Sequence, residues 1–195
     1  MNREKQKAHW DAKYEQGLPS LTKPDPFFIF AYERFVEPSF PNAGVALDLA
    51  CGLGRHALYL ANRSWRVCGV DFSDVAIAKL NHAALESNVN LDLFVGDASA
   101  YKFGPARFDL IVVFYHNERK LFRKLVSALN PGGMLICKLR LQSDTHARFT
   151  AADTDPNGDE LPLLFPKLHV LHHEERPVRD RGVVEFAGRK EIEEF

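Results

Sequence analysis

Val45-Ala-Leu-Asp-Leu-Ala-Cys-Gly-Leu-Gly54 is the stretch on which the reading of this chain turns. An apolar strand carries Asp48, breaks at a turn holding Gly52 and Gly54, and runs on into a helical pattern at Arg55–Ala61. A strand, a glycine turn and a helix in succession let backbone approach a ligand closely and aim helix N–H groups at it. The unit signals a nucleotide-like cofactor. Two further apolar segments end on acids in the same manner, Trp65–Val70 before Asp71 and Leu91–Val95 before Asp97. Open parallel sheets bind ligands at the carboxyl ends of their strands, so Asp48, Asp71 and Asp97 fall along one sheet edge.

Two cofactors compete for that edge. Gly52-Leu-Gly54-Arg-His-Ala57 fits the G-x-G-x-x-A form of the dinucleotide fingerprint, with Asp71 near the ribose position, which favours NAD. S-adenosylmethionine fits better. The pyrophosphate of NAD is anionic and Asp48 would repel it, whereas the ammonium group of a sulfonium amino acid is attracted by a nearby carboxylate. Asp97, in Val95-Gly-Asp-Ala98, lacks a clear role in an NAD site and suits the adenine side of the methyl donor, with the Ala98 amide beside it.

Beyond residue 44 the pattern alternates. Strands are expected at Val45–Leu49, Arg66–Val70, Leu91–Val95, Leu110–Phe114 and Met134–Leu139, with helices at Arg55–Asn62, Ser73–Glu86 and Glu118–Leu129. Ser73 and Asp74 start a helix, and Asn130-Pro-Gly-Gly stops one. Residues 141–160 are polar and read as a surface loop, with a hint of helix at Asp159–Phe165. His169–His173 and Val183–Ala187 read as two strands whose connection, Glu174–Gly182, permits a hairpin but no helical crossover. The expected fold is α/β: a doubly wound, mostly parallel seven-stranded sheet. The chain is expected to be one domain over residues 1–195. Residues 44–195 would form the cofactor-binding core, and residues 1–43 a helical arm able to cap the crevice. In that arm Glu4–Gln16 can form a helix with Trp10 and Tyr14 on one face, and Phe27–Val36 a second, ended by Pro38.

The segments Leu47-Asp-Leu-Ala-Cys-Gly-Leu-Gly54, Gly69-Val-Asp-Phe-Ser73, Val95-Gly-Asp-Ala98, Phe108-Asp-Leu-Ile-Val-Val113 and Asn130-Pro-Gly-Gly-Met-Leu-Ile136 resemble the class I S-adenosylmethionine-dependent methyltransferases, in that family's order and spacing. The resemblance implies a terminal antiparallel hairpin, and S-adenosyl-L-methionine as cofactor, held by Asp48, Ala50, Cys51, Gly52, Gly54, Arg55, Asp71, Phe72, Asp97, Ala98 and Phe114. Ala50 stands where the family has its first loop glycine, a mild variation if its φ is negative. Within the class, His9-Trp-Asp-Ala-Lys-Tyr14, the Gly-Leu-Pro turn and Glu118-Arg-Lys-Leu-Phe122 resemble the tellurite-resistance and thiopurine-methyltransferase-like group, from which the last hairpin departs by being short. That resemblance implies a tellurium or selenium oxyanion, or a thiol, as methyl acceptor. A sensor or partner subunit that binds the cofactor without turnover, or a methyltransferase for another small metabolite, stays open.

Composition bounds the partners. The formal net charge is −1 over 195 residues, without the basic field of a nucleic-acid binder, so a small-molecule acceptor is expected rather than nucleic acid. No apolar stretch is long enough for a membrane span and the charged N-terminus lacks a signal peptide's apolar core, so no membrane partner is expected. Cys51, Cys68 and Cys137 form no C-x-x-C pair, and the latter two lie in strand patterns as small core residues. A reducing cytoplasm suits them, and a monomer or homodimer is expected.

Methyl transfer from a sulfonium needs alignment and water exclusion more than acid–base groups. At the end of the fourth strand, Phe114-Tyr115-His116-Asn117 lies beside the expected methyl position, with Tyr115 as a substrate contact. His116 can serve as base or simply open the next helix. Arg140 is the better oxyanion ligand of the pair ending the fifth strand, and Lys138 is expected to be solvated. Trp10 and Tyr14 can cover the sulfonium with aromatic faces. His56 can touch the cofactor but is rather expected to face the loop, and Arg176, Arg179 and Arg181 to pair with neighbouring acids on the surface. No metal site is expected at His169, His172 and His173: along an unbroken strand His169 and His173 share one face while His172 points the other way.

Overall fold

The computed structural model describes residues 3–17, 22–141, 161–165, 167–178 and 181–192. Its strands are β1 (Val45–Leu49), β2 (Arg66–Asp71), β3 (Leu91–Val95), β4 (Phe108–Phe114), β5 (Leu129–Arg140), β6 (Leu168–Val178) and β7 (Arg181–Lys190). They form one Rossmann-like sheet in the order β3-β2-β1-β4-β5-β7-β6. β1, β2 and β3 pair in parallel, as do β4 and β5, while β7 runs antiparallel to both β5 and β6. The expected α/β class, strand number and terminal hairpin are therefore observed. The chain divides into two compact units, Met1–Lys102 and Phe103–Phe195.

In the first unit, Ala46, Leu47, Asp48 and Leu49 of β1 are all buried, which is why the strand reads as a continuous apolar run rather than an alternation. Helix α4 (Arg55–Ala61) follows the glycine turn and α5 (Asp74–Glu86) follows β2. Ser73 caps α5, its Oγ accepting the Ala76 N–H at 3.1 Å, a bond of about 1 kcal/mol for a helix start. α5 buries Ala76, Ile77, Leu80 and Ala84 along one face, and Leu80 and Ile77 pack with Cys51 under the loop.

The arm opens with α1 (Arg3–Glu15). Next comes α2 (Pro26–Ala31), where Asp25 Oδ1 accepts the Phe27 N–H at 3.0 Å and Pro26 takes the first position, where its missing N–H costs nothing. The expectation that Pro38 ends this helix is wrong. The chain continues through a π-helical turn, Tyr32–Val36, into α3 (Glu37–Ser39). The wider turn, with Glu37 N–H donating to the Tyr32 carbonyl, places Pro38 at the start of a new segment, where a proline is tolerated.

In the second unit, α6 (Arg119–Ala128) buries Leu121, Phe122, Leu125 and Val126. Phe122 meets Phe165, just beyond α7 (Leu161–Leu164), and Phe165 stacks on Phe186 with ring centroids 5.2 Å apart. The hairpin is not short. β6 and β7 are 11 and 10 residues long, so Glu174–Val178, expected in the connection, is strand. β6 lies at the sheet edge, where a proline and outward charges are accommodated. A register shift between Val170 and His172 also reverses the expected facing of the histidines. His169 pairs with Arg189, His172 with Ala187 and His173 with Phe186, so His169 and His172 share a face and His173 takes the other. The expected loop at 142–160 lies outside the described residues. Among the described residues no helix is long and apolar enough to cross a membrane.

Candidate active site

The first unit gathers the loop and the three acids. Ala50, Gly52 and Gly54 have φ of +56°, +55° and +72°. The expectation of a negative φ at Ala50 is thus overturned. The chain leaves β1 through a left-handed residue, which costs an alanine about 1–2 kcal/mol that a glycine would not incur. At Gly54 an added Cβ would lie 2.1 Å from Leu80 Cδ1, so the glycine lets α5 close on the loop. Cys51 N–H donates to the Val70 carbonyl at 3.1 Å, and burial pushes its thiol pKa well up.

Asp71 organises the turn. Its Oδ2 accepts the Gly52 N–H at 2.8 Å and its Oδ1 the Ser73 N–H at 2.9 Å. Asp48 is 2% exposed, and its Oδ2 accepts the Ala57 N–H at 3.1 Å. Burial raises its pKa to about 7, against the lowering effect of the Ala57 N–H and Arg55. Asp97 Oδ1 accepts from the Ser99 N–H and hydroxyl, at 2.8 and 2.7 Å, which caps the 3₁₀ turn Ala98–Ala100, and Ala98 is buried. Phe72 is half-buried between Asp71 and the α5 cap, and Arg55, also half-buried, opens α4.

Helix α1 lies over these groups. Arg3 forms an ion pair with Asp97, and Lys7 with Asp74 and, at 2.7 Å, with Asp11. Ser73 Oγ donates to Asp11 Oδ1 at 2.5 Å. Lys79 Nζ donates to the carbonyls of Tyr14 and Glu15 at 2.7 and 3.3 Å, satisfying the C-terminal end of α1. Tyr14 is 7% exposed and stacks on Trp10, and an added Cβ on Gly52 would meet its hydroxyl at 2.8 Å. Burial first, then the charge of Asp71, pushes its phenol pKa up. His56 points inward: its Nε2 accepts the Asp25 N–H at 3.2 Å, its ring packs on Phe28, and burial holds its pKa well below 6.5. The expectation that it faces the loop is corrected. A backbone N–H of the arm needed an acceptor, and a neutral imidazole supplies one.

The second unit holds the remaining candidates. Phe114, buried, ends β4 opposite Lys138. Tyr115 follows with φ +60°, its N–H donating to the Lys138 carbonyl at 2.8 Å, and its ring is exposed. The Arg140 guanidinium lies over that ring, 5.8 Å from its centre, and the Asn117 side-chain amide donates to the Arg140 carbonyl at 3.1 Å. His116 Nε2 lies 3.7 Å from Glu118 Oε2, an ion pair only when the imidazole is protonated. Lys138 is not solvated. It is 7% exposed and pairs at 2.9 Å with Glu185, itself 5% exposed and opposite it on β7. Arg176 binds both Glu185 and Glu174, at 3.3 and 2.9 Å. His172, Glu174 and Glu185 offer ligand atoms within 4.8 Å of one another, but Lys138 and Arg176 already supply that group's counter-charge.

Asp11, Ser73 as the partner of the arm, Arg3 and Glu185 escaped the sequence reading. Asp11 sits inside the quoted Trp-Asp-Ala-Lys-Tyr motif, between the two aromatics that drew attention instead.

A family model described as "Methyltransferase domain" matches residues 46–133. The chain is 26% identical over 136 residues to the putative methyltransferase YqeM of Bacillus subtilis, a match covering 65% of this chain and 52% of that protein. It is 29% identical over 105 residues to the probable S-adenosyl-L-methionine-dependent methyltransferase TehB of Haemophilus influenzae, covering 50% of this chain and 36% of that protein. The chain thus spans about half the length, or less, of the curated relatives it matches. In fold it resembles the crystal structure of TehB from Haemophilus influenzae, with TM-score 0.72 at 19% identity, covering 86% of this chain and 63% of that one. It also resembles the N-methyltransferase NodS of Bradyrhizobium japonicum in complex with S-adenosyl-L-homocysteine, with TM-score 0.71 at 17% identity, covering 94% and 97%. Residues 46–133 thus match a methyltransferase domain, and the chain has the fold of the class I S-adenosylmethionine-dependent methyltransferases and is related, at moderate identity, to TehB.

Proposed function

We propose that this chain transfers a methyl group from S-adenosylmethionine to a small acceptor. The observation that carries the reading is the bonding of Asp71. Its two oxygens take the Gly52 and Ser73 N–H groups, which fixes the carboxylate at the end of β2 beside the glycine turn, where a ribose diol could donate to it. Asp48 fits the amino-acid end of the same ligand. A buried carboxylate with a raised pKa gains from an ammonium neighbour and would lose from a phosphate. The cofactor brings an activated methyl on sulfonium, so the protein's own work is alignment and exclusion of water. Trp10 and Tyr14 would cover the site, and Asp97 and Ala98 would border the adenine.

For the acceptor we favour a soft nucleophile, either a metalloid oxyanion or a thiol. Arg140, whose guanidinium rests on the Tyr115 ring at the end of β5, supports an anionic acceptor, and His116 supports a thiol by taking its proton. The malonyl-[acyl-carrier protein] O-methyltransferase of Xylella fastidiosa, 30% identical over 153 residues, marks a second acceptor class, a carboxylate. Titration with S-adenosylhomocysteine and with NAD, followed by a methyl-transfer assay over tellurite, selenite, thiols and small carboxylates, tests both levels. Micromolar NAD binding without S-adenosylhomocysteine binding would refute the cofactor. For the acceptor, His116→Ala should slow a thiol reaction, whereas an oxyanion reaction should be insensitive to His116→Ala and raise its KM in Arg140→Ala.

A further inference from the structure

We propose that Asp11 is a positioning residue that ties closure of α1 to occupancy of the cofactor site through Ser73 and Asp71. It rests on Asp71 being the ribose carboxylate. The connection is continuous. Asp11 Oδ1 accepts the Ser73 hydroxyl at 2.5 Å, the Ser73 N–H donates to Asp71 Oδ1 at 2.9 Å, and the Gly52 N–H donates to Asp71 Oδ2 at 2.8 Å.

Each member has a second task that fixes its geometry. The Ser73 hydroxyl has one proton and gives it to Asp11, while its oxygen accepts the Ala76 N–H that caps α5. Ser73 is fully buried while α1 is seated, so the bond to Asp11 is shielded from water. Asp11 is oriented from its other side by Lys7 at 2.7 Å. One turn further along α1, Tyr14 stands over Gly52, whose N–H is the far end of the same chain of bonds. Displacing α1 therefore takes Asp11 from the Ser73 hydroxyl and uncovers Gly52 in one movement. Exchanging a shielded charge-assisted hydrogen bond for bonds to water is unfavourable, which holds the helix down.

The coupling is reciprocal by linkage. A ligand whose hydroxyls bind Asp71 steadies the carboxylate on which Ser73 is hung, and so favours the seated helix. The seated helix in turn slows departure of the ligand. Asp11 touches neither cofactor nor acceptor in this scheme, and its effect is exerted through Ser73.

The test uses S-adenosylhomocysteine as probe and its dissociation rate as readout, with the full chain as Asp11→Ala, Asp11→Asn and Asp71→Ala. Asp11→Ala should release the ligand at least about tenfold faster, the scale of a lost charge-assisted hydrogen bond. Asp11→Asn keeps a carbonyl to accept the Ser73 hydroxyl and should recover most of the slow release, which a loss of fold or of net charge alone would not give. Hydrogen exchange supplies a second readout. Ligand should protect the amides of residues 3–15 in the wild type and fail to do so in Asp11→Ala. If Asp71→Ala loses the ligand but Asp11→Ala releases it within twofold of the wild-type rate, the coupling is refuted and the ribose reading stands. If a folded Asp71→Ala binds as wild type, the ribose reading falls, and the coupling with it.

Discussion

Binding of the cofactor should take up the slack in a costly buried carboxylate, and pH reveals it. Asp48 has a pKa of about 7 in the unliganded protein, raised from 3.8 by burial. Between those values the native chain keeps a proton that the unfolded chain has lost, so stability falls as pH rises from about 4 to 7. The span is about 4 kcal/mol at 1.36 kcal/mol per pK unit, an upper bound for one group. An ammonium group brought beside Asp48 favours the charged form. Binding below pH 7 must then expel the proton, and affinity should drop about tenfold for each pH unit below 7 and level off above it. Calorimetric titration with S-adenosylhomocysteine between pH 5.5 and 7.5, in two buffers of different ionisation enthalpy, measures both the affinity and the proton released. 5′-Methylthioadenosine, which has no amino-acid tail, should show neither effect. Asp48→Asn retains an acceptor for the Ala57 N–H. It should melt higher than wild type above pH 7, bind the ligand more weakly and lose the pH dependence. An affinity that is flat from pH 6 to 7.5, with no proton released, would refute the placement of the ammonium against Asp48.

Other perturbations test the frame of the site. Ala50→Gly removes the left-handed penalty at φ +56° but adds freedom to the unfolded chain, so a net gain of about 0.5–1 kcal/mol is expected in denaturant unfolding; a loss would show that the methyl group packs usefully. Lys138→Ala removes the nearer of the two cations at the buried Glu185, leaving Arg176 at 3.3 Å, and should cost about 1.5–3 kcal/mol, while the double change Lys138→Met with Glu185→Leu should restore much of it. His56 is neutral in the native chain and its pKa lies below 6.5, so its contribution is complete above pH 6.5 and is lost as pH falls toward the lower, native value. The melting temperature of His56→Phe should therefore change less than that of wild type between pH 7 and pH 5.

What the sequence disclosed is what local chemistry controls. The glycine turn, the acids at three strand ends and the Ser73 cap are written in neighbouring residues, and the bounds expected for β1 and β3 match the observed ones. What it hid depends on partners far along the chain. Lys138 read as a solvated strand end because Glu185, which lets it be buried, comes from another strand. Glu174 to Val178 read as loop because an edge strand may carry charge and proline that an inner strand cannot. The sign of φ at Ala50 leaves no trace in an alanine side chain. In the site, the aromatics of α1 were visible, whereas Asp11 acquires meaning only once α1 is laid against Ser73.

The last strand sets the size of the sheet. β6 is the outermost strand on its side, and another chain could extend the sheet there only by matching its free backbone groups. Pro177 offers no N–H to either neighbour, Glu174, Glu175 and Arg176 are exposed, and the register shift near Leu171 bends the line along which an eighth strand would have to lie. Stacking of copies edge to edge along β6 would place fixed charges against one another and leave a gap in the ladder. The same strand whose charges disguised it in the sequence thus guards this edge of the molecule against polymerisation.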